Sequence, residues 1–99
     1  MEKRTPHTRL DTIQNLVRDG RVCITNTALI SASQIGFQSK REIFEVVMAL
    51  KTGDFYKSMT AYHDHTCWHD VYRPTYKGLP LYIKFIVSGS LLIVSFKEL

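Results

Sequence analysis

The hydrophobic period of the chain changes at residues 54–74, which read DFYKSMTAYHDHTCWHDVYRP. Before this stretch apolar residues recur every three to four positions, as on one face of a helix, and after it they alternate, as in strands. The stretch also holds three of the four histidines and the only tryptophan. Histidine, lysine, arginine and tyrosine can transfer protons, hold phosphate or stack on bases. We therefore expect this stretch to carry the functional surface.

Length and composition are those of one globular domain. The chain has 99 residues, 44% hydrophobic and 22% charged, so we predict a single domain over residues 1–99. No apolar run approaches the ~20 residues of a membrane span, and the first residues lack the apolar core of a secretory signal. The cysteines, Cys23 and Cys67, are far apart and form no CxxC motif. We expect a reduced, cytoplasmic protein without membrane contact.

The positive charge is concentrated in two parts of the chain. The formal net charge is +4, with Lys3, Arg4 and Arg9 against Glu2 at the N-terminus. Residues 51–99 carry six basic and four acidic side chains. This distribution suits a polyanionic partner, although charge alone leaves a protein without such a partner equally open.

Three helices are predicted in the first half of the chain. Each begins with a helix-capping pattern that is followed by apolar residues at helical spacing. The predicted capping residues are Thr8 with Asp11, Thr25 or Asn26, and Ser39 with Glu42. Glycines at positions 20 and 36 are expected to end the first two helices. A short edge strand is predicted at residues 21–25, where β-branched residues alternate with polar ones.

The second half predicts four strands in an antiparallel meander, because only short links separate them. The predicted strands are residues 56–62, 67–76, 80–87 and 91–97, with a polar link at 63–66. Helices followed by a run of strands indicate an α+β fold in which the helices cover one face of the sheet.

Alternation within the strands assigns side chains to the two faces. The residues predicted to face the helices are Trp68, Leu81, Ile83, Phe85, Val87, Leu92, Val94 and Phe96. The opposite face is then expected to carry Lys57, His69, Arg73, Tyr82 and Lys97, with Met59 and Lys84 beside them.

This set of side chains suits the cleavage of RNA. The reaction removes a proton from a 2′-hydroxyl, stabilises a phosphorane and protonates the leaving 5′-oxygen. Histidine suits either proton transfer near neutral pH, and lysine and arginine bind phosphate and its developing charge. Tyrosines offer stacking surfaces for unpaired bases. No cofactor is required.

Four runs of the sequence resemble the MqsR (motility quorum-sensing regulator) toxin family. They are MEKRTPHTRL at 1–10, DFYKSMT at 54–60, DVYRP at 70–74 and LIVSFKE at 92–98. The resemblance implies a RelE-like fold and a sequence-selective, ribosome-independent endoribonuclease that cuts single-stranded mRNA at short GC-containing sites and inhibits translation. It also implies neutralisation by an MqsA-type antitoxin. Direct DNA binding is not expected of the toxin alone.

Carried over by position, the resemblance implies an active site made of Lys57, Arg73, Tyr82 and Lys97. The family usually has glutamine where this chain has His69, and histidine can transfer protons whereas glutamine cannot. Either His69 takes part in proton transfer, or the position is a substrate contact that accepts both residues. The residues expected to bind substrate are Tyr56, Met59, Lys84 and His7.

Two other classes of function remain open from the sequence. A module that binds RNA or a protein partner without catalysis would fit if His69 marked a decayed active site. The second open class is a metal-binding regulator, because residues 63–69 place three histidines and a cysteine at alternate positions. On an extended strand these positions span ~20 Å, so one tetrahedral ion cannot take all four. We expect no metal site.

Overall fold

The computed structural model describes all 99 residues as three helices and a seven-stranded sheet. The helices are α1 (Leu10–Arg18), α2 (Asn26–Gln34) and α3 (Lys40–Ala49), and a short 3-10 turn spans Thr52–Asp54. The strands are β1 (Glu2–Lys3), β2 (Val22–Ile24), β3 (Phe55–Ala61), β4 (Asp64–Tyr72), β5 (Thr75–Tyr76), β6 (Leu79–Val87) and β7 (Leu91–Glu98). No helix has both the length and the apolar character needed to cross a bilayer.

The sheet has the order β1-β3-β4-β6-β7-β2, with β5 paired to β6 outside this path. Every pairing is antiparallel except that of β2 with β7. Strand β2 lies at one edge, as predicted, and β1 lies at the other. The predicted α+β class is confirmed.

The core lies between the helices and one face of the sheet. Its helical members are Ile13, Ala28, Ala32, Ile43, Val46 and Val47. Its strand members are Tyr72, Leu81, Ile83, Phe85, Leu91, Ile93 and Phe96. The helices leave the other face of the central strands to solvent, and we call that side the uncovered face.

Two of the three predicted helix caps are present. The Thr25 hydroxyl accepts a hydrogen bond from the backbone N–H of Ala28 at 3.1 Å, and Ser39 accepts one from Glu42 at 3.2 Å. The Glu42 carboxylate accepts from the N–H of Gln38 at 2.5 Å. Each cap therefore satisfies donors that the first helical turn leaves free.

The predicted capping box of Thr8 and Asp11 was wrong. Helix α1 begins after Arg9, and no side chain caps its first turn. Asp11 instead lies 3.6 Å from the Arg9 guanidinium, and the Thr8 N–H donates to Asp70 at 2.9 Å. In the predicted capping box the Asp11 carboxylate would have accepted the hydrogen bond from the Thr8 N–H. In the structure the Asp70 carboxylate, from a distant part of the chain, accepts it instead.

The inward face of β7 was predicted only in part. Phe96 is buried as expected, but Leu91 and Ile93 are fully buried in place of Leu92 and Val94, which are half-buried. Residue 84 pairs with residue 95 and residue 85 with residue 93, so Val94 is an extra residue in β7. This bulge changes which alternate positions face the helices.

Trp68 was predicted to lie in the core, and this was wrong. The indole is half-buried and lies outside the core cluster. His7 stacks on it with ring centres 5.3 Å apart, and the Lys3 ammonium lies 4.2 Å from its ring centre. Since the N-terminal segment covers this end of β4, the tryptophan packs against that segment.

The N-terminal segment is anchored by a buried carboxylate. Asp70, only 3% exposed, accepts hydrogen bonds from the backbone N–H groups of His7 and Thr8 at 2.9 Å and from the Ser58 hydroxyl. Residues 2 and 3 pair with β3 as strand β1, where the sequence had indicated only a concentration of positive charge. This pairing brings the N-terminus to the edge of the uncovered face.

The links between strands differ in detail from the prediction. The polar link at 63–66 is shorter, because β4 already begins at Asp64. The single strand predicted over residues 67–76 is divided at Arg73 and Pro74. No three histidine, cysteine, aspartate or glutamate side chains gather in a way that could hold one metal ion.

Candidate active site

The centre of the uncovered face is a row of four side chains on adjacent strands. Lys57 of β3 pairs with Val71 of β4, Val71 with Lys84 of β6, and Lys84 with Ser95 of β7. Residues directly opposite each other in antiparallel strands share a face. Val71 is fully buried although it lies on this face, which follows if the aliphatic stems of Lys57 and Lys84 cover it.

A second pair extends this row toward the end of β7. Tyr82 of β6 lies opposite Lys97 of β7. The Lys97 ammonium is 5.1 Å from the centre of the Tyr82 ring, and the Lys84 ammonium is 5.9 Å from it. Two cations beside one aromatic ring can hold a phosphate next to it.

Crowding of like charges affects Lys84. Burial, with the ammonium groups of Lys97 and Lys57, lowers the pKa of Lys84 below its ordinary value of 10.5. Repulsion between these cations is relieved when an anion binds among them. An anion such as phosphate would therefore be held favourably at this position.

His69 lies beside the row, opposite Met59 of β3. Burial and the Lys84 ammonium lower the pKa of His69 below 6.5, and Asp70 opposes this shift. At neutral pH the imidazole is mostly neutral. It can accept a proton in that form, and its protonated form is a stronger acid than ordinary histidine.

Arg73 and Tyr56 form the side of the site next to Lys57. The Arg73 guanidinium lies 4.4 Å from the centre of the Tyr56 ring, and the Lys57 ammonium lies 5.4 Å from it. Arg4, which the sequence prediction did not include, lies 5.2 Å from the same ring and donates to the Tyr56 carbonyl at 3.5 Å. A tyrosine between three cations offers a stacking surface next to phosphate-binding groups.

The second residue that the sequence prediction missed is Glu2. Its Oε1 lies 2.5 Å from Nζ of Lys57, whose side chain is only 18% exposed. The hydrogen bond to Glu2 raises the pKa of Lys57 above 10.5, so this ammonium stays protonated. The only sequence signal was an acid within a basic N-terminus, and a contact between residues 55 positions apart has no local pattern.

The structure thus brings together most of the predicted site. Lys57, Arg73, His69, Tyr82 and Lys97 share the uncovered face with the expected substrate contacts Tyr56, Met59 and Lys84. His7 does not join them. It stacks on Trp68, whose side chain points to the opposite face from that of its neighbour His69.

The uncovered face is an open surface. None of its five predicted catalytic residues lines any of the four surface cavities of the molecule. An extended ligand can therefore lie across several strands. The cations, the imidazole and the phenol are groups that can bind phosphate, transfer protons and stack on bases.

A sheet that presents such groups on one face, with helices covering the other, defines a domain suited to binding and reacting with a polyanion. Comparison with known proteins agrees with this class. Residues 5–98 match the family described as "Motility quorum-sensing regulator, toxin of MqsA". The chain is 49% identical over 98 residues to the mRNA interferase toxin MqsR of Escherichia coli, covering 99% of both chains.

The chain belongs to the MqsR toxin family. The family resemblance drawn from the four sequence runs is confirmed. The similarity to the Escherichia coli protein extends over nearly the whole chain, including the strands that carry the uncovered face.

Proposed function

We propose that this chain is an endoribonuclease toxin that cleaves single-stranded mRNA and inhibits translation. The observation that carries the proposal is that Lys57, Lys84 and Lys97 lie with Tyr82 and His69 on one open face. The name of the Escherichia coli relative, an mRNA interferase toxin, supports the same activity here.

The proposed reaction is an internal transesterification of RNA. The 2′-oxygen attacks the adjacent phosphorus as its proton leaves, the P–O5′ bond breaks, and the 5′-oxygen takes up a proton. The products are a 2′,3′-cyclic phosphate and a 5′-hydroxyl. Because the nucleophile belongs to the substrate, the protein needs to supply proton transfer, phosphate binding and positioning.

We assign phosphate binding to Lys57, Arg73 and Lys97, and proton transfer to His69 and Tyr82. Lys57 is suited to stabilise the phosphorane because its side chain is largely shielded from solvent and stays protonated. Tyr56, Met59 and Lys84 border the same surface and would contact the flanking nucleotides. His7 lies elsewhere and would act only at the edge of the substrate.

The finer aspects of the proposal follow the family resemblance. They are selectivity for short GC-containing sites, independence from the ribosome and from metal ions, action in the cytoplasm, and neutralisation by an MqsA-type antitoxin. The matched family description, "toxin of MqsA", supports the antitoxin. We expect no direct DNA binding by the toxin alone.

A pair of substrates tests the proposal. Purified protein is incubated with a defined RNA and with the same RNA carrying a single 2′-deoxynucleotide at the cleaved position. We expect cleavage of the first and none of the second, with a cyclic phosphate at the new 3′ end. Tyr82→Phe should slow cleavage by ~10²-fold or more while leaving the fold intact. RNA binding without new ends would favour a non-catalytic module instead.

A further inference from the structure

Glu2 occupies an unusual place for an acidic residue. Strand β1 pairs with β3 so that Glu2 lies opposite Met59, and Met59 lies opposite His69 on the other side. Glu2 and His69 therefore flank Met59 on the uncovered face, with Cα atoms about 10 Å apart from the spacing of adjacent strands. Two side chains at this separation can reach a group that lies between them.

Among the acidic residues of the strands, Glu2 is the one that the strand pairing places on this face. Asp70 and Glu98 lie opposite Phe85 and Leu81, which both point to the core, so they belong to the other side of the sheet. Asp64 is engaged at the hairpin, where it accepts hydrogen bonds from Thr66 at 2.5 and 2.9 Å.

The Glu2 carboxylate is both held in place and available. Oε1 bonds to the Lys57 ammonium at 2.5 Å, whereas Oε2 makes no hydrogen bond within the chain. The side chain is half exposed, so the free oxygen can be reached by a ligand. An oriented carboxylate with one free oxygen beside the lysine that we propose to bind phosphate is placed to act as a general base.

We infer that Glu2 is a further catalytic residue, the general base that accepts the proton of the attacking 2′-hydroxyl. This inference rests on the proposed endoribonuclease activity. The 2′-oxygen forms its bond to phosphorus while its proton moves to Oε2 of Glu2. The P–O5′ bond breaks, and the 5′-oxygen receives a proton from His69 or Tyr82. Exchange with solvent then returns both groups to their starting states.

Charges around Glu2 keep its carboxylate ionised. The hydrogen bond and charge of Lys57, with smaller contributions from Arg4 and the N-terminal amine, lower the pKa of Glu2 below 4.5. The carboxylate is therefore ionised at neutral pH and can accept a proton, and the same shift makes it a weaker base than an ordinary glutamate. The lowered pKa of His69 leaves it mostly neutral at neutral pH, so only its minor protonated form, a stronger acid than ordinary histidine, can serve as the proton donor.

The same ion pair has a second interpretation with the opposite consequence. Glu2 could occupy the phosphate position on Lys57, so that RNA would have to displace it. Removal of its charge would then strengthen binding and speed cleavage. We favour the general base because the lysine has three donor hydrogens and can hold a carboxylate and a phosphate together.

The test compares wild-type protein with Glu2→Gln and with the matched control Glu45→Gln. Glu45 is also a half-exposed acid paired with a cation, Arg41 at 3.4 Å, but it lies on α3. Cleavage is measured under single-turnover conditions, and binding is measured with the RNA that carries one 2′-deoxynucleotide. We expect Glu2→Gln to slow cleavage by about 10²- to 10⁴-fold without weakening binding. Glu45→Gln should match wild type.

Cleavage by Glu2→Gln at or above the wild-type rate would overturn the inference. A faster rate would show that Glu2 blocks the phosphate position, and an unchanged rate would show that Glu2 takes no part in the reaction. If Glu2→Gln cleaves slowly but is also less stable, the cleavage rate of Glu2→Ala is measured with and without added formate, which can replace a missing carboxylate. Recovery of the rate with formate supports a missing base, and no recovery overturns it. Absence of cleavage by the wild type would overturn the proposed endoribonuclease activity as well. Failure of that activity is therefore distinguishable from failure of the Glu2 inference alone.

Discussion

Lys57 and Lys84 lie on the same face of the sheet, two strands apart, each directly opposite Val71. Neighbouring ammonium groups and burial lower the pKa of Lys84, so its protonated form destabilises the folded protein at neutral pH. Such a cost is expected where a site is prepared for an anion.

Replacement of Lys84 by methionine should therefore stabilise the protein while weakening RNA binding. The folded state loses a crowded charge and keeps an apolar stem over Val71, and we expect a gain of about 1 kcal/mol in the free energy of unfolding. Urea unfolding at low salt measures this gain, which should shrink in 1 M salt because the repulsion is screened. A loss of stability at low salt would contradict the charge argument.

Asp70 should be among the residues most important for stability. Its carboxylate satisfies two backbone N–H groups and the Ser58 hydroxyl in a site that is almost fully buried. Asp70→Ala is expected to lower the free energy of unfolding by about 2–4 kcal/mol and to release the N-terminal segment. Hydrogen exchange should show the amides of residues 7 and 8 losing protection. The matched control is Asp64→Ala, an exposed carboxylate at the hairpin that should cost far less.

The pH dependence of stability should carry a contribution from His69. Its pKa in the folded protein lies below 6.5, so the unfolded chain binds the proton more tightly. Stability is therefore lost as pH falls from about 6.5 through the folded-state pKa. Wild type should lose more stability between pH 7 and pH 5 than His69→Gln does. The control is His63→Gln, an exposed histidine in the turn before β4, and an equal loss in all three proteins would contradict the assignment.

The contribution of Arg73 to RNA binding should appear in the salt dependence. Each cation that neutralises a phosphate of a single strand adds about 0.7 to the slope of log affinity against log salt concentration. Arg73→Ala should reduce the slope by about that amount. Arg41→Ala removes a cation from α3, far from the uncovered face, and should leave the slope unchanged. Equal slopes for the two variants would show that Arg73 does not contact phosphate.

Where alternation is unbroken, the sequence predicted correctly which side chains share the uncovered face. Strand β6 alternates without interruption, so Tyr82 and Lys84 were assigned to the same face, and pairing with β7 placed Lys97 there as well. The position of Lys57 and His69 followed from the same rule in β3 and β4. These assignments depend on local periodicity, which the amino-acid sequence contains directly.

The failures share a different physical cause. The bulge at Val94 depends on how β7 fits β6, and the partner of Trp68 is a segment some 60 residues earlier in the chain. Glu2 was missed for the same reason, because a two-residue strand has no detectable period and its ion pair spans 55 positions. Contacts of this kind are decided by tertiary packing, which local sequence patterns do not encode. The RelE-like topology implied by the resemblance stays a prediction.

The most direct test of the account is to incubate the purified protein with a defined mRNA in EDTA and to map the ends by primer extension, beside Lys57→Ala. We predict discrete cuts that persist in EDTA with wild type and vanish with Lys57→Ala, while both proteins keep the same fold by circular dichroism. RNA that is bound but not cut, or cuts that remain in the folded Lys57→Ala variant, would contradict an active site on the uncovered face.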